Sequence, residues 1–346
     1  MEFINYIESI NNLENRLLSL NKTWSKIYVL VDENTKEHCL PFLFSEMDFF
    51  KEAEIIEIES GESSKSIEIC CQIWQMLNEN GADRKSLMVN LGGGVITDLG
   101  GFIASTFKRG IDFVNIPTTL LGQVDAAIGG KTGINLDNSK NQIGTFSQAI
   151  ITIIDTVFLE TLPEKEFTSG MGEVIKYGLI LDKSIFETIK SIDSLQEKLP
   201  EIIKKCAKIK QEIVEKDFRE IGERKKLNFG HTVGHAIESY FYGNLSHGEA
   251  IAIGMICESY ISFLKTGLSE DKLEEIVSVM FNYFEKITFS KDDIPQIIDL
   301  MKSDKKNENG KLNFTLLSDI GQSKFDQFIE EELVIESLEF YLNMLK

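Results

Sequence analysis

Long apolar segments are absent from this sequence of 346 residues. No run approaches the roughly 20 apolar residues that a membrane-spanning helix needs, and the stretch AIITIIDTVFL is interrupted by Thr152 and Asp155. The first segment, MEFINYIESINNLENRLL, has acidic residues early and no apolar centre, unlike a signal peptide. We therefore expect no membrane segment and a cytoplasmic location.

Cysteines and basic residues are also in short supply. The five cysteines are odd in number, with Cys70 and Cys71 adjacent and the others scattered without the spacing of zinc ligands. This pattern predicts reduced, buried thiols rather than disulfides. The 36 lysines and arginines are outnumbered by 55 acidic residues, which leaves a net charge of −19. That charge repels long nucleic acids, so any anion site has to be a local basic pocket.

The first half of the chain alternates between strand and helix patterns. Strands are predicted at 26–32, 54–58, 86–91, 112–117 and 149–155, and helices at 63–81 and 95–107. Strands that alternate with helices imply a mostly parallel, Rossmann-like sheet with helices on both faces.

After Pro163 the pattern becomes mainly helical. Helices are predicted at 171–182, 194–217, 230–242, 248–264, 269–285 and 327–345, and only 311–317 has the pattern of a strand. The chain is long enough for two domains. We predict an α/β domain over residues 1–160 and a mainly α-helical domain over residues 161–346, with the active site in a cleft between them.

Histidine is rare, yet three of the four histidines lie within NFGHTVGHAIESYFYGNLSHGEA, residues 228–250. His231 and His235 are four residues apart and share one face of a helix. Thr232 follows the first histidine, where an HExxH zinc protease has its glutamate base, so a protease is a poor interpretation. His247 opens a second predicted helix, and two facing helix termini could bring it to one ion with His231. Two histidines do not complete the ligand shell of a zinc ion, so an oxygen ligand would have to come from elsewhere in the chain. Surface histidines at two polar helix starts explain the spacing equally well.

Three consecutive glycines stand where a predicted strand runs into a helix. In NLGGGVITDLGG, Gly92, Gly93 and Gly94 leave backbone N–H groups at the helix start free to bind a diphosphate. Thr97 occupies the place of the last glycine in a G-x-G-x-x-G fingerprint, and a tight turn alone also explains the triplet. The segments VDENT and SGESSK follow neighbouring strands, at the edge of the sheet where ligands of α/β folds bind.

A second glycine motif, IGGKTGIN, resembles a nucleotide P-loop only in part. Asp125 stands where a P-loop needs its first glycine, which excludes a kinase or ATPase. Lys131, between glycines, could still contact an anion.

Six segments occur in the order found in 3-dehydroquinate synthases: GGGVITDLGGFIASTFKRG, IPTTLLGQVDAAIGGKTGIN, KNQIGTF, GEVIKYG, NFGHTVGHAIE and SHGEAIAIGM. The resemblance to this family runs from about residue 27 to residue 320. It implies an enzyme that uses NAD and one divalent metal ion, usually zinc, although cobalt suits the same ligands. The family converts 3-deoxy-D-arabino-heptulosonate 7-phosphate to 3-dehydroquinate in the shikimate pathway.

The resemblance implies a metal site of Glu173, His231 and His247, in which Glu173 of GEVIKYG is the missing oxygen ligand. His235 matches a position beside the substrate rather than on the metal. From the residues alone, the preferred interpretation of Glu173 is an acid favoured by the dipole at a helix start.

The implied reaction is oxidation of the carbon 5 hydroxyl by NAD, loss of phosphate, reduction of the ketone, ring opening and internal aldol closure. Lys176, one helical turn after Glu173, is expected to help hold the developing alkoxide. The departing phosphate is expected to take the proton itself, which leaves the protein mainly the task of positioning.

The resemblance also implies two sets of contacts. For the substrate these are Lys131, Lys176, His235, Asp125, Arg224, Asn228, Lys210, Lys305 or the adjacent Lys306, and Arg109 from the second subunit of a homodimer. For NAD they are Asp32, Asn34, Glu62, Lys65, Gly93, Gly94, Val95, Asp98, Thr118, Thr119, Asp125, Lys140, Asn141, Phe158 and Thr161. An acid at a strand end favours NAD over NADP, because it can bind a free ribose 2′-hydroxyl.

Three other functions remain alternatives. Related cyclases that make 2-deoxy-scyllo-inosose or epi-valiolone act on other phosphates, and Lys210, Arg224 and Asn228 argue against them. Metal-dependent glycerol-type dehydrogenases would release NADH and lack these cations. A non-catalytic NAD-binding regulator would not need the complete metal triad.

Overall fold

A computed structural model describes residues 6–7, 9–137, 139–190, 195–242, 244–302 and 312–346. The chain forms two compact units. The first unit comprises Met1–Pro163 and Lys210–Phe218, and the second comprises Glu164–Ile209 and Arg219–Lys346. The segment Lys210–Phe218 thus belongs to the first unit, although the predicted division at residue 160 assigned it to the second domain.

The first unit is built on a parallel sheet. In chain order the strands of this unit are β1 (Tyr6–Ile7), β2 (Ile27–Asp32), β3 (Glu54–Ile58), β4 (Leu87–Gly92), β5 (Asp112–Pro117), β6 (Lys131–Leu136), β7 (Ser139–Phe146) and β8 (Ile151–Ile153). All of them except β6 and β7 belong to the parallel sheet. The sheet has the order β1-β8-β5-β4-β2-β3, and every neighbouring pair is parallel. The predicted mostly parallel sheet is therefore confirmed.

Helices cover both faces of this sheet. They are α1 (Leu13–Ser19), α2 (Glu33–His38), α3 (Leu40–Glu46), α4 (Ile67–Glu79) and α5 (Gly94–Thr106). Side chains alternate along a strand, so Val29 and Val31 of β2 join one apolar core, while Tyr28 and Leu30 join the other. Burial on both faces explains why β4 is apolar almost throughout.

The sequence analysis missed one hairpin. Strands β6 and β7 pair in an antiparallel sheet that is separate from the main one. Most of β7 is exposed, so it lacks the apolar alternation that reveals a half-buried strand. Lys131 is the first residue of β6 rather than part of a glycine loop.

The second unit is mainly helical, as predicted. Its elements are α6 (Glu164–Ile180), α7 (Lys183–Ile189), α8 (Leu195–Lys216, whose last turns belong to the first unit), α9 (His231–Tyr240), α10 (His247–Lys265), α11 (Glu270–Tyr283), α12 (Ile294–Lys302), β9 (Leu312–Asp319), β10 (Gln322–Ile329) and α13 (Glu331–Met344). Helix α10 lies against α6, α9, α11 and α13, and its buried residues include almost every position of its first four turns. A helix surrounded in this way is apolar all round.

One element of the second unit corrects the prediction. The predicted helix 327–345 begins only at Glu331, because residues up to Ile329 form β10. Strand β10 pairs antiparallel with β9 through an irregular register near Asp326, where φ is +54°. Its sequence, QSKFDQFI, has few apolar residues, so no period of two was visible.

The described helices include none that is long and apolar enough to cross a membrane. All five cysteines are free, as predicted. Four of them are buried, but Cys71 is exposed, which corrects the expectation that every thiol is buried.

Candidate active site

Three helices of the second unit bring a carboxylate and two imidazoles together. Glu173 lies inside α6, while His231 and His247 are the first residues of α9 and α10. Ser246 caps α10 through its side chain and forms a capping box with Glu249, which fixes where this helix begins. The two histidines therefore project from helix starts, as the spacing suggested.

Close helix contacts at glycines make this meeting possible. A Cβ on Gly172 would lie 3.0 Å from the Cα of Gly248, so α6 and α10 touch beside Glu173 and His247. A Cβ on Gly254 would overlap the carbonyl oxygen of Gly230, the residue that precedes α9. Side chains at these glycines would push the three helices apart.

The geometry of the cluster fits a divalent ion. The Oε1 atom of Glu173 lies 3.3 Å from Nε2 of His231 and 3.1 Å from Nε2 of His247. Two ligand atoms that each lie about 2.0–2.1 Å from a zinc ion, with a tetrahedral angle at the ion, are about 3.3 Å apart. Only 1% of the Glu173 side chain is exposed, against 12% for His231 and 25% for His247, so an ion here would be reached from the histidine side.

The protonation of His231 supports the same conclusion. Its Nδ1 lies 3.0 Å from the carbonyl oxygen of Phe229, which can only accept, so Nδ1 carries the proton. Burial, with the charge of Lys176, lowers the pKa of His231 and keeps it neutral. The Nε2 lone pair then faces a carboxylate oxygen of Glu173, an arrangement that a bridging cation stabilises.

The other two groups carry charge. Burial opposes ionisation of Glu173, but Lys176 and the histidines hold its pKa well below the ordinary value. Burial also opposes protonation of His247, but Glu173 and Glu238 raise its pKa to about 9. Since an imidazolium cannot bind a metal, an ion at this site has to displace a proton from His247.

Lys176 has a partner that the sequence analysis did not foresee. Its Nζ forms an ion pair with Oε2 of Glu173, and both side chains are buried to 1% exposure. The lysine thus compensates the buried carboxylate, in addition to any contact with substrate.

The other predicted residues of the second unit are placed as follows. The ring of His235 packs 5.0 Å from that of His231 and 6.2 Å from that of His247, measured between centroids. Arg224 is buried, with 2% exposure, and lies with Asn228 in a 3-10 segment. Asn228 donates to Glu220 at 2.7 Å. Lys305 and Lys306 lie outside the described residues.

In the first unit, the glycine triplet joins β4 directly to α5. Gly93 precedes the helix and Gly94 begins it. A Cβ on Gly93 would lie 2.9 Å from Cγ2 of Thr119, and one on Gly92 would lie 2.5 Å from the side chain of Ile96. Close packing thus explains part of the glycine requirement, and the N-terminus of α5 is left without a side-chain cap.

A polar cluster lies beside the same helix. Lys65, only 4% exposed, donates to Asp98 and to Asn141, both at 2.6 Å. Asn135 donates to Glu62 at 2.8 Å and accepts from the backbone N–H of Asn141 at 2.8 Å. Burial raises the pKa of Asp98 although Lys65 opposes this shift. The structure thus brings four predicted NAD contacts together.

Asp125 and Lys210 form a second group in this unit. Asp125 lies in a π-helical turn, Gly122–Ala126. The Nζ of Lys210 contacts its carboxylate at 2.8 Å and donates to its carbonyl oxygen at 2.6 Å. Lys210, with 6% exposure, therefore lies next to Asp125 as a buried cation.

The remaining predicted contacts of the first unit are less alike in their surroundings. Asp32 ends β2 and caps α2 by accepting from the N–H of Thr35 at 2.8 Å. Thr118 and Phe158 are buried, and the Phe158 ring packs in the core. Those of these remaining contacts that are exposed are Asn34, Arg109, Lys131, Lys140 and Thr161. Val95 lies in the first turn of α5. Arg109 has a φ of +72° just after that helix.

Three residues near these sites escaped the sequence analysis. Asn135 links Glu62 to Asn141, and its place at the end of IGGKTGIN was the available signal. Glu258 is fully buried and accepts from the backbone N–H groups of Gly230 at 2.6 Å and Val233 at 3.3 Å, so it caps α9 from another helix. Glu238 faces His247. No sequence pattern distinguishes these acids from surface acids.

The fold of the chain is similar to that of a solved synthase. The structure of 2-epi-5-epi-valiolone synthase from Streptomyces hygroscopicus subsp. jinggangensis 5008, with NAD+ and Zn2+ bound, matches this chain with a TM-score of 0.86. The match covers 99% of this chain and 97% of that protein, at 24% identity. At this identity the likeness establishes the fold alone.

Sequence comparison identifies the family of the chain. The models of the 3-dehydroquinate synthase N-terminal and C-terminal domains match residues 55–169 and 170–307. The chain belongs to the 3-dehydroquinate synthase family. It is 42% identical over 337 residues to 3-dehydroquinate synthase of Parabacteroides distasonis, covering 96% of this chain and 95% of the relative. It is 46% identical over 275 residues to the same enzyme of Clostridium perfringens, covering 78% and 79%.

Proposed function

We infer that this protein catalyses the 3-dehydroquinate synthase reaction, the conversion of 3-deoxy-D-arabino-heptulosonate 7-phosphate to 3-dehydroquinate and phosphate. The observation that carries the inference is the cluster of the buried Glu173 with the partly exposed His231 and His247, in a chain that belongs to this family. The enzyme is then a carbon–oxygen lyase of the shikimate pathway. Its product has the same overall oxidation level as its substrate.

The metal site and the dinucleotide site are formed by separate units of the chain. Glu173, His231 and His247 of the second unit would hold one divalent ion, most simply zinc, and the start of α5 with the Lys65 cluster would hold NAD. When bound, the ion polarises the substrate hydroxyl and NAD accepts and returns a hydride. The protein's side chains then have to orient the substrate and balance its charges.

Two buried cations suit an anionic substrate in an acidic protein. Arg224 is 2% exposed and Lys210 is 6% exposed, and the substrate carries a phosphate and a carboxylate. A guanidinium can bind either group through two parallel hydrogen bonds. Lys131, Asn228 and His235 complete the proposed substrate contacts, and His235 donates a hydrogen bond or a proton to the leaving phosphate.

The assembly proposed for this enzyme is a homodimer without nucleic-acid or membrane partners. Arg109, exposed and held in a left-handed backbone conformation at the end of α5, would reach the substrate bound by the second subunit.

A cofactor balance tests this function. The protein, zinc and the heptulosonate phosphate are mixed with NAD at one-hundredth of the substrate concentration, and phosphate and NADH are both followed. We expect many phosphates per NAD and no net NADH, with Glu173→Gln as the inactive control.

Two results would contradict the proposal. One NADH per product would indicate an ordinary dehydrogenase. Phosphate release from another sugar phosphate, but not from the heptulosonate, would indicate one of the related cyclases.

A further inference from the structure

His247 lies between two carboxylates. Its Nε2 faces Oε1 of Glu173 at 3.1 Å, and its Nδ1 lies 3.8 Å from Oε2 of Glu238. Glu238 is on α9, two turns after His231, and its side chain is only 9% exposed. Helix α9 thus supplies one proposed ligand, His231, and an acidic contact to another ligand that belongs to α10.

An imidazole can bind a metal through one nitrogen only when the proton is on the other. A carboxylate that accepts the remaining N–H selects the tautomer, sets the plane of the ring and makes the free nitrogen a better donor. His231 has such an acceptor in the carbonyl oxygen of Phe229, at 3.0 Å from its Nδ1. Of the described side chains, Glu238 is the one placed to do this for Nδ1 of His247.

The burial of Glu238 supports this role. A carboxylate in a largely apolar interior is costly unless it is paired, and an apolar side chain of similar size usually fills such a position at least as favourably. We propose that Glu238 is a positioning residue, which holds His247 in the Nδ1–H form so that Nε2 faces the metal ion.

The proposal rests on the proposed metal site and adds a residue to it. The present separation of 3.8 Å is that of an ion pair, longer than a hydrogen bond. We expect it to shorten to about 2.8 Å in a crystal structure of the zinc-loaded protein, the usual length of an N–H···carboxylate bond.

A competing role for Glu238 is a direct metal ligand. Nitrogen and oxygen atoms of His235, Glu238 and His247 also lie within 4.8 Å of one another. The nitrogen of His247 that faces Glu238 is Nδ1, whereas Nε2 faces Glu173, so such an ion would be a second one. The number of zinc ions bound per chain therefore distinguishes the two roles.

The test is a series of variants in the intact protein. Glu238→Leu removes the acceptor, Glu238→Gln keeps a neutral acceptor, and Glu249→Gln is the control, because Glu249 lies two residues after His247 but caps the helix instead. The zinc dissociation constant is measured by competition with a chelator, and thermal unfolding is measured on the metal-free proteins.

We expect Glu238→Leu to bind zinc about 10- to 100-fold more weakly than the parent, because losing such an outer contact typically has this effect. The zinc dissociation constant of Glu238→Gln should lie between those of Glu238→Leu and the parent, and that of Glu249→Gln should equal that of the parent. Thermal unfolding should show that each metal-free variant is folded at the assay temperature, so that weaker zinc binding reports on the site and not on unfolding.

Two outcomes would overturn the proposal: parent-like zinc affinity in Glu238→Leu, or two ions in the parent of which one is lost in Glu238→Leu. If the parent itself binds no zinc, or binds it without needing Glu173, the proposed metal site fails instead.

Discussion

His231 and His235 show how neighbouring side chains can differ in function. They lie one helical turn apart on α9, and their rings pack at 5.0 Å. Only His231 has its Nε2 directed at Glu173, at 3.3 Å, with Nδ1 bound to a backbone carbonyl. His235 belongs instead to the looser grouping with Glu238 and His247. The geometry supports a metal role for the first histidine, and the substrate role of the second remains a proposal.

This division gives the first prediction. His235→Ala should keep its zinc and lose about a hundred-fold or more in turnover, because removing one donor to transition-state charge typically has this effect. Metal content by elemental analysis and steady-state phosphate release measure the two properties. His247→Ala is the matched control and should lose its metal. A metal-free His235→Ala protein that regains activity in excess zinc would show that His235 is a ligand.

The contact between α9 and α10 sets the distance between His231 and His247, the two proposed histidine ligands. Gly254, on the second turn of α10, lies against the backbone of Gly230 just before α9. The buried carboxylate of Glu258, one turn further along α10, accepts from the N–H groups of Gly230 and Val233. Packing and hydrogen bonding therefore hold the start of α9 in one place.

Gly254→Ala should separate these helices. The added methyl would overlap the Gly230 carbonyl oxygen, and overpacking of this kind typically destabilises a protein by about 1–3 kcal/mol. Because His231 directly follows Gly230, zinc affinity should fall as well. Denaturant unfolding and chelator competition measure the two effects, with Lys265→Ala at the end of the same helix as the control. A variant with both parental stability and parental zinc affinity would contradict the proposed role of this contact.

The proposed metal site also links distant parts of the second unit. Glu173 and His247 are 74 positions apart in the chain and come together only when the unit is folded. An ion that binds the folded chain alone raises its stability by mass action.

Zinc should therefore stabilise the intact protein. At a free zinc concentration about 1,000 times the dissociation constant, the expected gain is about 4 kcal/mol in the free energy of unfolding. Denaturant unfolding with a zinc buffer and with a chelator measures the difference. Glu173→Gln, which loses one ligand, should show little of it; an equal gain in this variant would place the ion elsewhere.

The whole molecule combines a charge of −19 with four buried cations among its described residues, Lys65, Lys176, Lys210 and Arg224. Lys65, Lys176 and Lys210 each form an ion pair with a nearby acid at these sites. The composition predicts that cations for an anionic ligand are local, and this stays a prediction. Which acid each cation faces could not be predicted, because Lys65 and Asp98 are 33 positions apart in the chain and Lys210 and Asp125 are 85 apart.

The order of amino acids alone determined the elements whose signals are local. Apolar runs between turns marked β2, β4 and β5, helical periodicity marked α4 and α8 to α11, and long motifs identified the family. The same reasoning missed the β6–β7 hairpin and β10, because β7 is mostly exposed and β10 has few apolar residues, so neither shows apolar alternation.

Folding decided which polar groups meet. The ion pair of Lys210 with Asp125, the link of Asn135 to Glu62 and the approach of Glu238 to His247 all involve residues that look like ordinary surface polar residues in the sequence. Their roles come from burial and from distances of a few ångströms between separate elements. These depend on how helices and strands pack, and no short stretch of sequence encodes them.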